Sequence, residues 1–259
     1  MELQANRFPE LEDVLKALND DEASCSVAVS WEPVQLYELT PPDFLSFAKQ
    51  DLEEGSGRGR LNGISNARRA IACRVDEILI LSGLRAFVAR ERWGLPYKLE
   101  VIKKLGCSAP HVLREYITSR RNVLEHEYRR PPERQDIRYL SDITELFLKA
   151  TDAQVSRGYV SRAEISVPGE EESSTTRSRT TRVVEKDVFS LELDLDAENL
   201  SLGSWRKRQT HVSNLRTVAL SLSDEPLTKA VTRTVRLVDC DKEDLVALMR
   251  ALREQAKRG

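Results

Sequence analysis

The sequence predicts an α+β protein in which an N-terminal all-α antiparallel helical bundle is followed by a small antiparallel β-sheet domain with a C-terminal helix. Three observations predict it. Between residues 41 and 152 apolar side chains recur at intervals of three and four, which gives a helix one apolar face. From 153 onward the interval falls to two, the period of a strand buried on one side. The closing segment, DKEDLVALMRALREQAK, returns to the helical interval behind Asp241, a residue type that caps helix N-termini. The chain therefore divides into an N-terminal appendage (1–40), a helical bundle (41–152) and a sheet with its closing helix (153–259).

Within the appendage, PELEDVLKALN places Leu11, Val14, Leu15 and Leu18 on one side of a short helix, and SVAVSW, at 26–31, has the small and β-branched residues of a strand. Pro33 and the pair Pro41-Pro42 interrupt regular structure after that strand. Thr40 can cap the next helix, whose first turn accepts both prolines and whose stripe continues through Leu45, Ala48 and Leu52. GSGRGR, at 55–60, reads as a flexible break. LNGISNARRAIACRVDEILILSG then lines up Ile64, Ala67, Ile71, Val75, Ile78 and Leu81 along a long helix ending near Gly83. Arg68, Arg69 and Arg74 fall on its polar side, read as a solvated face with Asp76 and Glu77 as local partners.

A shorter helix is expected from Tyr97 to Leu105, ended by Gly106, and Pro110 opens another that runs to Tyr128, where Pro131-Pro132 stops it. ERQDIRYLSDITELFLKAT, with Ile137, Leu140, Ile143, Leu146 and Phe147 in register, completes the bundle. In the last part YVSRAEISV and VFSLELDLD alternate as strands, GEEESSTTRSRTT between them reads as a polar hairpin loop or insertion, and LRTVALSL and AVTRTVRLV are further strand candidates.

Forty Lys and Arg against 42 Asp and Glu give a formal net charge of -2, so no global basic field draws in nucleic acid and any RNA contact must come from a local patch. Arg114, Arg120, Arg129, Arg130, Arg134 and Arg138 cluster in sequence as such a patch. Cys25, Cys73, Cys107 and Cys240 lie far apart without CxxC pairing or zinc-finger spacing, and read as reduced, mostly buried thiols. Nowhere do about 18 consecutive apolar residues occur, and the N-terminus has no basic segment leading into an apolar run, so a cytoplasmic protein without a membrane partner is expected. No Gly-rich phosphate loop, GxSxG elbow or HExxH is present. Trp205 beside Arg206, Lys207 and Arg208 joins an aromatic platform to cations, a combination shared by single-strand binders and protein interfaces.

The sharpest chemistry lies at 121–128, RNVLEHEY. Arg121 carries a permanent charge on a planar fork suited to phosphate, and His126 exchanges a proton near neutral pH. RNA brings its own nucleophile, the ribose 2′-OH, so a base and a phosphate clamp can suffice without metal. On an ideal helix Asn122 and His126 share a face, whereas Arg121 is about 140° from His126 and must bend toward it. Glu125, one turn after Arg121, competes as an ordinary surface partner, and Glu127 adds a second negative charge beside His126.

Arg, Asn, three residues, His, one residue and Tyr resembles the active-site motif of HEPN domains, small helical bundles common among prokaryotic ribonucleases and toxins. The resemblance covers the helical stretch from Pro41 to Thr151, including LNGISNARRAIACRVDEILIL and KLEVIKKLGCSAPHVLREYITSRRNVLEHEYRRPP, and does not reach the last hundred or so residues. It implies that Arg121 and His126 are the catalytic pair, with Asn122 as the supporting polar residue and no metal or other cofactor. It implies a homodimer whose motif helices form one composite cleft, consistent with an isologous interface. Tyr128 matches the tyrosine that a partner nucleotidyltransferase antitoxin modifies with AMP in the toxin branch. The expected function is thus a metal-independent endoribonuclease, as a toxin or phage-defence effector, that cleaves RNA through 2′-OH attack. The alternative is a non-catalytic HEPN module that dimerises or binds a partner, since fold does not guarantee chemistry.

Overall fold

The computed structural model describes residues 10–30, 37–107, 113, 133–156, 158–176, 179–214, 223–226 and 231–257. Two compact units emerge, one of Ser30–Tyr159 and one of Met1–Val29 together with Val160–Gly259.

The first unit is helical. Its elements are α2 (Pro41–Glu54), α3 (Gly57–Ile80), α4 (Arg85–Glu91), α5 (Leu95–Lys104) and α6 (Arg134–Ser156). Thr40 and Asp43 form a reciprocal capping box at the start of α2: the Asp43 carboxylate accepts from the Thr40 N–H at 2.8 Å and the Thr40 hydroxyl at 2.6 Å. Gly55, at φ +73°, ends that helix in the left-handed conformation. The break expected over GSGRGR is shorter than its glycines suggest, because the Ser56 hydroxyl accepts from the Gly59 N–H at 2.9 Å and starts α3 at once. Gly59 itself lies against α2, where an added Cβ would sit 2.3 Å from the Asp51 carbonyl oxygen.

The helices α2, α3 and α6 pack on one another, and α3 also meets α4 and α5. Ala48 and Leu52 from α2, Ile64 and Ala67 from α3, and Ile137 and Leu140 from α6 form one buried cluster. Further along α3, Ile71, Val75, Ile78 and Leu79 are buried completely, as are Phe87, Ile102, Leu113 and Phe147. Each such side chain contributes about 1.5–3 kcal/mol of transfer free energy. Lys49 on α2 and Glu145 on α6 are joined at 2.6 Å across the rim.

The second unit contains a six-stranded antiparallel sheet with α1 (Leu11–Leu18) and α7 (Lys242–Ala256), which pack on each other. Its strands are β1 (Ser24–Ser30), β2 (Tyr159–Thr176), β3 (Arg179–Asp194), β4 (Asn199–Asn214), β5 (Ser223–Pro226) and β6 (Val231–Arg236). The order is β1-β2-β3-β4-β5, and β6 also pairs with β4. A 3₁₀ turn, Leu237–Asp239, leads to α7, where the Asp241 carboxylate accepts from the N–H groups of Glu243 and Asp244.

This arrangement overturns the expected fold class of an all-α bundle followed by a small sheet. Helices and strands are interspersed, since α1 and β1 precede the bundle helices and belong with the sheet. The sheet is also large, with β2, β3 and β4 running 18, 16 and 16 residues. The physical reason lies in GEEESSTTRSRTT, whose polar residues up to Thr176 and from Arg179 onward continue the β2–β3 ladder. Thr175 is in register with Thr180 and Thr176 with Arg179, and Arg182 is paired to Glu171 at 2.5 Å. Threonine and cross-strand charge pairs favour extended backbone without an apolar face. A register shift between Pro168 and Glu171 absorbs the proline, which has no N–H for the ladder.

The register gives the sheet two unlike faces. Ala163, Leu191 and Leu202 are aligned across β2, β3 and β4, and with Ile165, Phe189, Leu193 and Leu200 they are buried. Within this unit the apolar surface that can cover them comes from Val14 and Ala17 of α1 and from Leu245, Leu248, Met249 and Leu252 of α7. The opposite face carries Arg162, Glu164, Ser190, Glu192, Ser201, Gly203, Trp205 and Thr232.

Candidate functional site

Arg121, Asn122, His126 and Tyr128 lie outside the described residues, as do Glu125 and Glu127. What is described is the scaffold on either side: α5 ends with Leu105 and Cys107 buried, Leu113 is completely buried, and α6 starts at Arg134.

The helical unit holds a second polar group, centred on Arg74. The solvated face expected for this arginine is not found: only 6% of its side chain is exposed. Its Nη2 donates to the Asp152 carboxylate of α6 at 2.8 Å, and its Nε lies 3.4 Å from a Glu77 oxygen one helical turn ahead. Arg74 Nε and Glu77 Oε2 are both buried without a hydrogen-bond partner. Burial raises the Glu77 carboxyl above the ordinary carboxylate value, the Arg74 guanidinium pulls it back, and Asp152 raises it further. Close by, Lys98 is paired with Asp76 at 2.7 Å.

Burial also pushes the Cys73 thiol up to about 12, helped by Glu77 and Asp76, and the Tyr37 phenol likewise to about 12. Both are fully protonated near neutral pH, which makes Cys73 a poor nucleophile. All four cysteines are free thiols, with Cys107 buried and the others half-buried. The Arg74 group ties α3 to α6, and its charges are spent on one another.

On the sheet, the basic run after Trp205 is neutralised by register. Arg206 meets Asp187 at 2.9 Å and Arg208 meets Glu185 at 2.8 Å, each directly across on β3, while Lys207 lies 3.7 Å from Glu164 of β2. A phosphate track along these three cations would have to break those pairs.

The polar face of the sheet nonetheless holds a groove of about 420 Å³, lined by Arg162, Ser190, Leu191, Glu192, Ser201, Trp205, Pro226 and Thr232. Arg162 and Glu192 stand opposite each other on β2 and β3 at one end. Among the described residues neither has an ion pair or side-chain hydrogen bond. Trp205 is at the other end, opposite Val188 of β3, which is completely buried. Glu192 is four positions after Val188, roughly 13 Å along the strand, and Trp205 on β4 and Arg162 on β2 are a further two strand spacings, roughly 10 Å, apart across the sheet.

Between the two ends, Ser190, Gly203 and Thr232 are in register across β3, β4 and β6. A Cβ on Gly203 would lie 2.5 Å from the Ser190 hydroxyl and 3.5 Å from that of Thr232, so its absence is what lets the Ser190 side chain lie over β4 at the groove floor. Ser201 and Thr234 share a hydrogen bond of 2.9 Å beside it. Of these lining residues sequence reading singled out only Trp205. The alternation of VFSLELDLD placed Ser190 and Glu192 on a polar face, but only the register aligns them with Arg162 and Thr232.

Among the described residues no three His, Cys, Asp or Glu side chains converge as metal ligands would, and no helix is long and apolar enough to cross a membrane. The chain matches no protein-family model, no curated protein and no solved structure.

Proposed function

We propose that the chain is a metal-independent endoribonuclease of the HEPN type, acting as a toxin or phage-defence effector. The observation that carries this reading is the order Arg121, Asn122, His126, Tyr128 in a segment flanked by helices of a compact helical unit. In this reading His126 accepts the proton of a ribose 2′-OH, whose oxygen attacks the adjacent phosphorus. The charge that grows on the pentavalent phosphate is offset by Arg121. The bond to the 5′-oxygen breaks, that oxygen takes a proton from water, the 2′-OH proton stays on His126, and a 2′,3′-cyclic phosphate remains. Asn122 orients the reacting groups. Two copies of the chain bring their motifs together in a homodimer, and a nucleotidyltransferase antitoxin silences the site by attaching AMP to Tyr128, which adds charge and bulk beside Arg121 and His126.

Glu125 and Glu127 favour a second reading, a non-catalytic HEPN module, because they set two carboxylates beside a site for a polyanion. One experiment separates the two. The purified chain is incubated with single-stranded RNA in EDTA, and the product ends are identified. Cleavage to 2′,3′-cyclic phosphate or 3′-phosphate ends, lost in Arg121→Ala and in His126→Ala with unchanged far-UV circular dichroism, supports the nuclease. Strict dependence on Mg²⁺, or full activity in both variants, refutes it.

A further inference from the structure

The groove on the polar face of the sheet has the chemistry of a small-molecule site, and its volume of about 420 Å³ falls within the usual range for one. Its two ends ask for different things. Trp205 offers a half-exposed indole against which a planar ring can stack. At the far end Arg162 offers a planar fork of donors that binds phosphate in bidentate fashion. Glu192, directly across from it, offers two acceptor oxygens, which match a vicinal diol as acidic side chains match a ribose in dinucleotide sites.

The commitments of the neighbouring charges sharpen the contrast. Lys207, Arg206 and Arg208 are held by Glu164, Asp187 and Glu185, whereas Arg162 and Glu192 hold no partner among the described residues although they stand opposite each other. Toward Trp205, Gly203 admits the Ser190 hydroxyl over the floor of the groove, with the Thr232 hydroxyl across from it on β6.

We propose that this groove is a ribonucleotide site, in which the base stacks on Trp205, the ribose hydroxyls donate to Glu192, and the phosphate is held by Arg162. A neutral sugar would leave the guanidinium fork of Arg162 without an anion to bind in bidentate fashion, and a phosphate alone would leave Trp205 unused. The backbone positions of Trp205 and Arg162 are roughly 16 Å apart on the diagonal from β4 to β2, and the long side chains at both ends, which line the groove, span part of that distance. The ligand is a free nucleotide or one unpaired nucleotide of an RNA. As a means of selecting RNA the site rests on the ribonuclease reading; as a nucleotide site it stands without it.

The test uses the full chain carrying His126→Ala, so that RNA survives the measurement. Ribonucleoside 5′-monophosphates, their 2′-deoxy counterparts and a short unstructured RNA are titrated by calorimetry. Ribonucleotides should bind about tenfold more tightly than deoxyribonucleotides, because the 2′-OH donates to a charged acceptor. Glu192→Gln should bring that ratio close to one. Trp205→Leu should weaken binding of every base by roughly tenfold, with Trp205→Phe intermediate. Arg162→Ala should weaken monophosphates and leave nucleosides unchanged. Glu192 and Arg162 are exposed, so those variants keep the fold, and a thermal melt checks the Trp205 pair.

Binding of mononucleotides identifies a free-nucleotide site, and binding of RNA alone, lost in Trp205→Leu, identifies a site for an unpaired nucleotide. Absence of binding to all probes at millimolar concentration overturns the proposal, as does binding that none of the variants changes, or tighter binding of a neutral disaccharide. Because the chain with native His126 is assayed separately for cleavage, loss of the nuclease reading and loss of this one give different results.

Discussion

Arg74→Met keeps the aliphatic stem of a buried side chain and removes its charge, and the consequences differ for its two partners. Asp152 is 60% exposed, so water replaces the lost arginine and the cost there is under about 1 kcal/mol. Glu77 is only 14% exposed and has no comparable recourse. Its uncompensated charge dominates, and the variant should lose about 3 kcal/mol near pH 8, at the low end of what breaking one side of a buried pair costs. Asp152→Asn, by contrast, should lose under about 1 kcal/mol. Arg74→Met combined with Glu77→Leu should regain most of the loss, because an apolar pair leaves no orphaned charge.

The loss must also depend on pH in one direction. Burial raises the Glu77 carboxyl in the folded protein, so folding takes up a proton, and stability falls as pH rises from the ordinary carboxylate value through the raised one. Arg74 restrains that rise. Without it the raised value climbs further, the window of falling stability widens upward, and the deficit of Arg74→Met grows from about pH 5 to about pH 8. Urea unfolding followed by far-UV circular dichroism, for wild type and variant at both pH values, measures it. An equal deficit at both, or a larger one in acid, would refute the assignment of Glu77 as the stranded charge.

Close packing and burial give two more expected outcomes. Gly59→Ala should destabilise the helical unit by about 1–3 kcal/mol in urea unfolding, because its Cβ would fall 2.3 Å from the Asp51 carbonyl oxygen, a backbone atom that moves only if α2 and α3 separate; an unchanged midpoint would contradict the contact. Cys73, held near 12 by burial with Glu77 and Asp76 beside it, should react with iodoacetamide far more slowly than a free thiol at about pH 8 and recover the ordinary rate in urea. Mass spectrometry of the labelled peptide decides this, and fast labelling of the native chain would show that the thiol is not so held.

The helices were legible because each carries its own evidence. Ile64, Ala67, Ile71, Val75 and Ile78 define the inner side of α3 without reference to any other segment, and Ile137, Leu140 and Phe147 do the same for α6. The seven-residue α4 has a single buried side chain, Phe87, and so left no stripe to read. β4 was hidden for another reason. Its apolar alternation stops at Leu202, and Trp205 to Thr210 read as a charged run, because the acids that neutralise it stand on other strands. LRTVALSL, expected as a strand, lies outside the described residues. Local sequence shows a side chain's periodicity and not its cross-strand partner, which is also why Arg74 read as solvated: Asp152, the residue that lets it be buried, is 78 positions away.

The same distinction separates two kinds of charge in this chain. Arg74 and Arg206 have partners supplied by the fold, Asp152 with Glu77 and Asp187 respectively, so removing either one tests stability. Arg162 is exposed, faces a carboxylate across the strand, and forms no pair with it among the described residues, so the fold loses little when it is replaced. Opposite charges directly across an antiparallel pair stabilise a sheet when they meet. That Arg162 and Glu192 stand in such register without meeting, at the end of a groove, leaves both groups able to exchange water for a ligand at no cost in an existing bond.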